Sequence, residues 1–417
     1  MAIAKDIEPG NDQEQRGFAP WFLASNALNT VFALWTFSGS VFLLFLNELG
    51  LPKGQVGVVL SLFSFCGVAA LGFAPLATRW GMKRIFLLCY GLRKAVLALL
   101  LLLPWVLATA GHRAGMIFLF TVLIVFALLR SAAETAYNPW SQEFIPNGIR
   151  GKIAGVNGVL VSLMAGVALW LAGLAIGNTT GLRPFLELLA AGCALGLLGV
   201  ALMIKVPGGA PRPEEPVLAH GANMAQALRD RNFVAFLLGN GCVTVGCTLF
   251  GCFLPLYIKE RLGVASGTVV MLDTVVMVGG TPAGLLLGWL SDRIGSRPVL
   301  MPSTALTLLI PLGWLLLPRQ TTHAVAWCAV LYFLYGVAIT GMAIGSGRLL
   351  FNGVVPPEHS TAYMAIYYAW SGCVSGLAVL LAGALIDLDR DRGRPRGRRR
   401  PKSLSIAAPI SGAWKSG

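Results

Sequence analysis

Charge is scarce in this 417-residue chain: Asp, Glu, Lys and Arg make up 12% of it, about half the roughly 25% usual in soluble domains. That shortage excludes a soluble enzyme and a disordered regulator. Histidine is thinner still. The four present, His112, His220, His323 and His359, all fall in predicted connections, so none is expected as a buried proton relay. Eight cysteines lie inside apolar runs and form no C-x-x-C pair, which excludes a zinc site and a disulfide framework and leaves them as small packing residues. H-E-x-x-H, a His–Asp cluster and a phosphate loop are all missing, so the chain is not expected to be an enzyme or to carry a cofactor or metal. A cleavable signal is missing too, because the first twenty residues are polar and acidic (Asp6, Glu8, Asp12, Glu14).

What is present is apolar. Hydrophobic residues reach 56%, mean hydropathy is +0.72, and Gly fills another 50 positions. About 20 apolar residues span the hydrocarbon core as a helix, and the sequence predicts eleven such spans. They lie near 21–47, 55–77, 85–108, 115–138, 152–176, 183–205, 232–258, 267–290, 299–317, 324–349 and 361–386. The expected fold class is an all-α polytopic membrane protein. Its expected organisation is an N-terminal segment (1–20), a six-helix bundle (21–205), a Pro- and Glu-containing linker (206–231), a five-helix bundle (232–388) and a basic tail (389–417).

The formal net charge of +14 is concentrated at one end. Residues 390–417 hold nine of the 32 lysines and arginines against a single acid, Asp391, so the remainder carries only the surplus expected of basic membrane connections, and no nucleic-acid partner is implied. Connections after even-numbered spans hold eleven lysines and arginines against six after odd-numbered ones. By the positive-inside rule the even connections and the N-terminus are expected in the cytoplasm of a cell-membrane protein.

The two halves resemble each other. Ala74-Pro-Leu-Ala-Thr78-Arg79-Trp-Gly81-Met-Lys83-Arg84 follows the second span, and Gly288-Trp-Leu-Ser-Asp292-Arg293-Ile-Gly295-Ser-Arg297-Pro298 follows the eighth. Arg79 and Arg293, like Gly81 and Gly295, stand 214 residues apart, and Pro146 and Pro356 stand 210 apart. A parallel duplication of a helical bundle follows.

With these residues the chain resembles the major facilitator superfamily, whose hallmark loop reads G-x-L-x-D-R-x-G-R-K-x. The second copy keeps Gly288, Leu290, Asp292, Arg293, Gly295 and Arg297, while the first departs at Ala74 and Thr78. The stretch from Glu143 to Gly151, with Pro146 and Arg150, is similar to the family's E-x-x-P-x-x-x-R-G connection. The resemblance covers about residues 20–388 and implies two pseudo-symmetric six-helix bundles, here with six and five spans. It also implies a conformational latch built from Arg79, Gly81, Arg84, Arg150, Gly288, Asp292, Arg293, Gly295 and Arg297. Gly288 is expected to permit close helix approach and Gly295 a tight turn. Asp292 is expected to accept from neighbouring arginines and a helix N-terminus. The fifth span lacks the proline-bearing signature of drug–proton antiporters, and no sugar-porter signature is present, so no substrate is assigned.

Ionisable groups inside spans are costly and functional by default. Arg93 and Lys94 stand mid-span; as helix neighbours they point about 100° apart, so at most one faces a given cavity. Arg130 and Glu134 are spaced to pair on one helix face. The candidates for a substrate or proton pathway are Asn26, Asn29, Arg130, Glu134, Asn240, Asp273, Arg348, Tyr363 and Tyr367. Tyr363, Tyr367 and Trp370 form an aromatic stripe that either packs or lines a pocket. The expected function is secondary active transport of a small organic solute, coupled to protons through competition with Arg130 for Glu134, by a monomer surrounded by membrane lipid. The alternative is a transport-incompetent or truncated relative, suggested by the missing twelfth span and by an Arg/Pro/Gly-rich tail of the kind a shifted reading frame in a GC-rich gene would encode.

Overall fold

A computed structural model of the chain describes residues 17–66, 79–145, 150–177, 179, 181–210, 226–317, 323–356 and 360–392. Most of the N-terminal segment, the Ala74–Thr78 part of the first loop copy, most of the linker and all but the first four residues of the basic tail lie outside the described residues. Among those described, every regular element is a helix.

The first expected span is broken in two: α1 (Ala19–Thr36) and α2 (Gly39–Glu48) are separated by an extended Ser38 and a left-handed Gly39 (φ 69°). α3 (Lys53–Phe65) begins the second crossing. α4 (Met82–Ala98) runs through a 3₁₀ turn into α5 (Leu103–Phe144). The helical path from Met82 to Ser141 is 60 residues long, about 90 Å at 1.5 Å per residue and three bilayer cores thick. It therefore cannot be one crossing. Gly111 (φ 80°, ψ 174°) turns it back, and α4 packs along α5 as the expected third and fourth spans. The rest are α6 (Arg150–Ile176), α7 (Arg183–Met203), α8 (Arg231–Leu262), α9 (Ser266–Ile294), α10 (Arg297–Leu315), α11 (Ala324–Leu349) and α12 (Ser360–Arg392). Nine stretches among the described residues are long and apolar enough to cross a membrane. One of these holds two crossings and α3 starts another, so the eleven expected spans are all represented.

Large apolar side chains face outward: Leu308 is 70% exposed, Leu315 75% and Leu316 81%. A surface of this kind over so many helices is stable only against lipid. Inside, the α1–α7 half is filled by rings, with Phe32, Phe126 and Trp140 fully buried. The halves α1–α7 and α8–α12 meet chiefly along two helix pairs, α3 with α12 and α6 with α9, with smaller contacts of α2 against α8 and α9.

Glycine makes both seams possible. A Cβ on Gly383 would stand 2.7 Å from the Lys53 carbonyl, and one on Gly267 would stand 2.4 Å from the Gly173 carbonyl. Such backbone-to-backbone contact is how helices gain packing energy in lipid, where the hydrophobic effect contributes little. Gly288, expected to serve the same purpose, shows no such approach: among the described residues nothing lies within 4 Å of its Cβ position. Gly81 (φ 93°) and Gly295 (φ 94°) instead matter for their backbone, each turning the chain between consecutive helices in a conformation L side chains rarely adopt.

Candidate functional site

Polar side chains of the first half converge on one cavity of about 330 Å³. α1 contributes Asn26 and Asn29, α4 Tyr90 and Arg93, α5 Glu134 and Tyr137, and α6 Asn157. Asn26 Nδ2 donates to Asn157 Oδ1 (3.0 Å), and Arg93 Nη2 donates to Asn29 Oδ1 (3.1 Å). Arg93 is 4% exposed, and its guanidinium lies 4.4 Å over the Tyr90 ring. Lys94, one position on, is fully buried and turned away from the cavity. Its Nζ lies 3.1 Å from the Tyr90 ring centroid and donates to the Tyr90 carbonyl (3.3 Å). The helical offset between neighbours thus gives Arg93 to the cavity and Lys94 to the interior. Neither reaches the membrane surface.

Arg130 Nε donates to Glu134 Oε1 at 2.7 Å, one turn apart on α5. The Glu134 side chain is 56% exposed and faces the cavity. The site pairs an open carboxylate with a half-buried guanidinium.

A second set of groups closes one end of the molecule. Lys259 Nζ on α8 donates to Glu48 Oε1 on α2 (2.5 Å), and Lys53 Nζ on α3 donates to Glu260 Oε1 on α8 (2.5 Å) and to Asn47 Oδ1 (2.7 Å). Asp387 on α12 accepts from the backbone N–H of Lys53 (3.1 Å) and of Gly54 (2.7 Å). Those are orphan donors of the first turn of α3, whose N-cap is Pro52 and offers no side-chain acceptor. The opposite half thus caps this helix. Asp273 on α9 sits similarly beside the start of α2, its Oδ2 3.9 Å from the Cβ position of Gly39. Apart from the Lys53–Asn47 bond, which lies within the first half, these contacts join one half to the other.

At the opposite, basic end, the following contacts among the described residues each lie within a half. Arg348 Nη1 on α11 donates to Asp292 Oδ1 on α9, so the expected pathway residue Arg348 is the partner of the expected latch aspartate. Asp292 takes this bond from α11 and not from Arg293, whose guanidinium lies over Trp289 (4.4 Å). Arg297 is exposed at the start of α10. Arg79 and Arg84 border a shallow cavity of about 290 Å³ with Trp80. Arg150 opens α6, but its side chain lies outside the described residues. In the loop that resembles the family's fourth-helix motif, Glu143 accepts from the Gly209 N–H (2.6 Å), and Trp140 Nε1 donates to the Pro207 carbonyl (2.9 Å).

The aromatic stripe of α12 packs on α8. Tyr363 is buried, with its ring 4.6 Å from Phe233 and its hydroxyl donating to Asp230 (3.3 Å). Tyr367 meets Phe236, and Trp370 Nε1 donates to the Leu237 carbonyl (2.9 Å). Asn240 is half-buried on α8 and does not border the first-half cavity.

Sequence reasoning missed the cross-half groups. Lys53 and Lys259 entered it only as orientation charges, and Glu48, Glu260 and Asp387 not at all. A signal was present: Glu48-Leu-Gly50 and Glu260-Arg-Leu-Gly263 stand in equivalent connections of the repeat, and both glycines are left-handed (φ 76° and 70°).

Comparison with known proteins agrees with this architecture. Residues 140 long in alignment are 29% identical to the "Probable 4-methylmuconolactone transporter" of Cupriavidus pinatubonensis, covering 32% of this chain and 31% of that relative's length. The fold is similar to a crystal structure of a mutant nucleoside transporter NupG (TM-score 0.69, 14% identity, 89% of this chain and 92% of that one). It is also similar to that of a bacterial homolog of the human lysosomal transporter Spinster in an inward-facing, unoccupied conformation (TM-score 0.64, 14% identity, 93% and 86%). The family model for the Major Facilitator Superfamily matches residues 23–379; the chain is a multi-pass membrane protein of that transporter superfamily.

Proposed function

We propose that this protein is a secondary active transporter that moves a small organic solute by alternating access. One observation carries the reading: a polar cavity in the first half lies in a molecule whose halves are joined by ion pairs and a borrowed helix cap at one end only, among the contacts described above. Two bundles held together at one end and separable at the other are the parts needed for a rocking motion about a central site. The greater basic content of the connections at the Gly81/Gly295 end supports a cytoplasmic position in a cell membrane for that end and the N-terminus. The closed end then faces outward, and the conformation is inward-open, as in the Spinster homolog.

The relative named above as a 4-methylmuconolactone transporter supports a small organic solute as cargo, and a volume of about 330 Å³ sits at the small end of ligand pockets, which run from roughly 300 to 1,000 Å³. Glu134 is the leading coupling group because it lies open to the cavity yet bonded to Arg130. A proton arriving on this carboxylate releases Arg130, and the released guanidinium changes the field in the cavity. Asp273, at the junction of α9 and α2, is the second candidate.

The test is uptake into proteoliposomes of labelled small organic solutes, with and without an inward proton gradient, for the parent protein and Glu134→Gln. Exchange that survives in the variant while gradient-driven accumulation disappears supports the coupling role. Unimpaired accumulation moves the role to Asp273, and no flux of any solute above empty vesicles removes the transporter reading.

A further inference from the structure

We infer that the cavity binds its solute by a carboxylate group, held by Arg93 together with the free amide donors of Asn29 and Asn157. This rests on the transporter reading and names the substrate class within it.

The argument starts from what Arg93 lacks. A guanidinium carries five N–H donors and, when buried, needs acceptors for them. Among the described residues Arg93 makes one hydrogen bond within 3.5 Å, from Nη2 to Asn29 Oδ1, and interacts more loosely with the Tyr90 hydroxyl. Its Nε is buried with no acceptor, although the residue is only 4% exposed. The faces of Tyr90 and Phe32 (4.4 and 5.9 Å) hold the guanidinium plane but accept no conventional hydrogen bond. Among the described residues no carboxylate lies within ion-pair distance of it; Glu134, the acid bordering the same cavity, is bonded to Arg130. Glu134 spends its hydrogen bond on Arg130 and attracts Arg93 only across the cavity, so Arg93 is left with unfilled donors at the cavity wall.

The neighbours fit the same ligand. Asn29 uses its carbonyl oxygen for Arg93, and Asn157 uses its own for Asn26. The Nδ2 groups of Asn29 and Asn157 therefore remain as donors at the cavity, beside a guanidinium whose fork geometry matches a carboxylate. An oxyanion completes this arrangement, whereas a neutral solute leaves a buried guanidinium short of acceptors. The apolar part of the wall, with Phe86, Val161 and Met203, suits a carbon skeleton attached to that carboxylate and disfavours a bare inorganic anion.

The experiment measures thermal stabilisation and calorimetric binding on the purified full chain in detergent, with benzoate and cyclohexanecarboxylate as probes. Their uncharged amides and sodium chloride serve as comparison ligands. Saturable binding of at least one carboxylate, at least tenfold tighter than its amide, is expected. Arg93→Gln should lower that carboxylate's affinity at least tenfold and leave the amide's unchanged, and Arg93→Lys, which keeps the charge but not the fork, should fall between. Should Arg93→Gln fail to fold, Asn157→Ala provides the second arm, with a severalfold loss for the carboxylate alone. Equal binding of acid and amide, no saturable binding of either acid, or binding by chloride as tight as by the acids overturns the proposal. Solute flux in proteoliposomes with neutral cargo would do so while leaving the transporter reading intact.

Discussion

Asp387→Ala is the sharpest single perturbation of the closed end. Its carboxylate accepts two backbone N–H groups of α3, at 3.1 and 2.7 Å, from a helix of the other half. A side-chain cap is worth about 1 kcal/mol, and a carboxylate at a helix N-terminus adds roughly 0.3–1 kcal/mol. These contacts exist only while α3 and α12 are together at this end. Removing them therefore destabilises the closed state by ~1–2 kcal/mol relative to the open one, about a 5- to 30-fold shift in their ratio. The readout is the alkylation rate of a cysteine placed at Ser40 in a background without native cysteines. Ser40 is 1% exposed and lies near the start of α2, deep to the Glu48–Lys259 pair at its other end, so it reacts in proportion to the open population. Asp387→Ala should raise that rate by the same factor, and Asp387→Asn, which keeps one acceptor oxygen, by less. A rate unchanged within twofold in a folded variant would refute the reasoning.

Glycine at the seams gives a contrasting pair. Gly267→Ala places a methyl 2.4 Å from the Gly173 carbonyl and should cost ~1–3 kcal/mol by overpacking, read as a lower midpoint in detergent melting. Gly288→Ala enters open space and should cost nothing, or gain up to ~1 kcal/mol from helix propensity. Glu134→Gln should remain folded. Its partner Arg130 is 31% exposed and Glu134 56%, so the loss is nearer the ~0–1 kcal/mol of an exposed pair than the ~3–5 kcal/mol of a buried one; a melting curve checks this. Asp292→Asn should change stability by less than about 1 kcal/mol, because Asp292 is 72% exposed. Distance measurements across the basic end should show a weaker closure whenever that end shuts.

The spans were legible because a crossing needs some 20 consecutive apolar residues, a signal that tertiary context seldom overrides. The Gly81/Gly295 turns were legible because an internal repeat placed the same residue at the same joint. The break in the first helix was not: Ser38-Gly39 reads as an ordinary pair of small residues in a span, and only the packing of α2 against α8 and α9 gives it meaning. Periodicity put Arg93 and Lys94 on different faces without saying which one faces the cavity. The Tyr363–Trp370 stripe had two readings, and the partner helix α8 selects packing for Tyr363 and Trp370. The gate was least legible. Glu48 pairs with Lys259 and Lys53 with Glu260, each more than 200 residues away in sequence, and nothing local distinguishes such lysines from charges that merely set orientation.

Alternation between the two ends is the central claim, and paired distances test it most directly. Spin labels at Gln55 and Arg261 report the gated end, and labels at Ile204 and Ile294 the basic end; all four positions are exposed. With the closed end weakened by Asp387→Ala, the Gln55–Arg261 distance should lengthen and the Ile204–Ile294 distance should shorten over the same fraction of molecules. Lengthening at the gated end with no change at the basic end, or both ends opening together, would contradict alternating access in this protein.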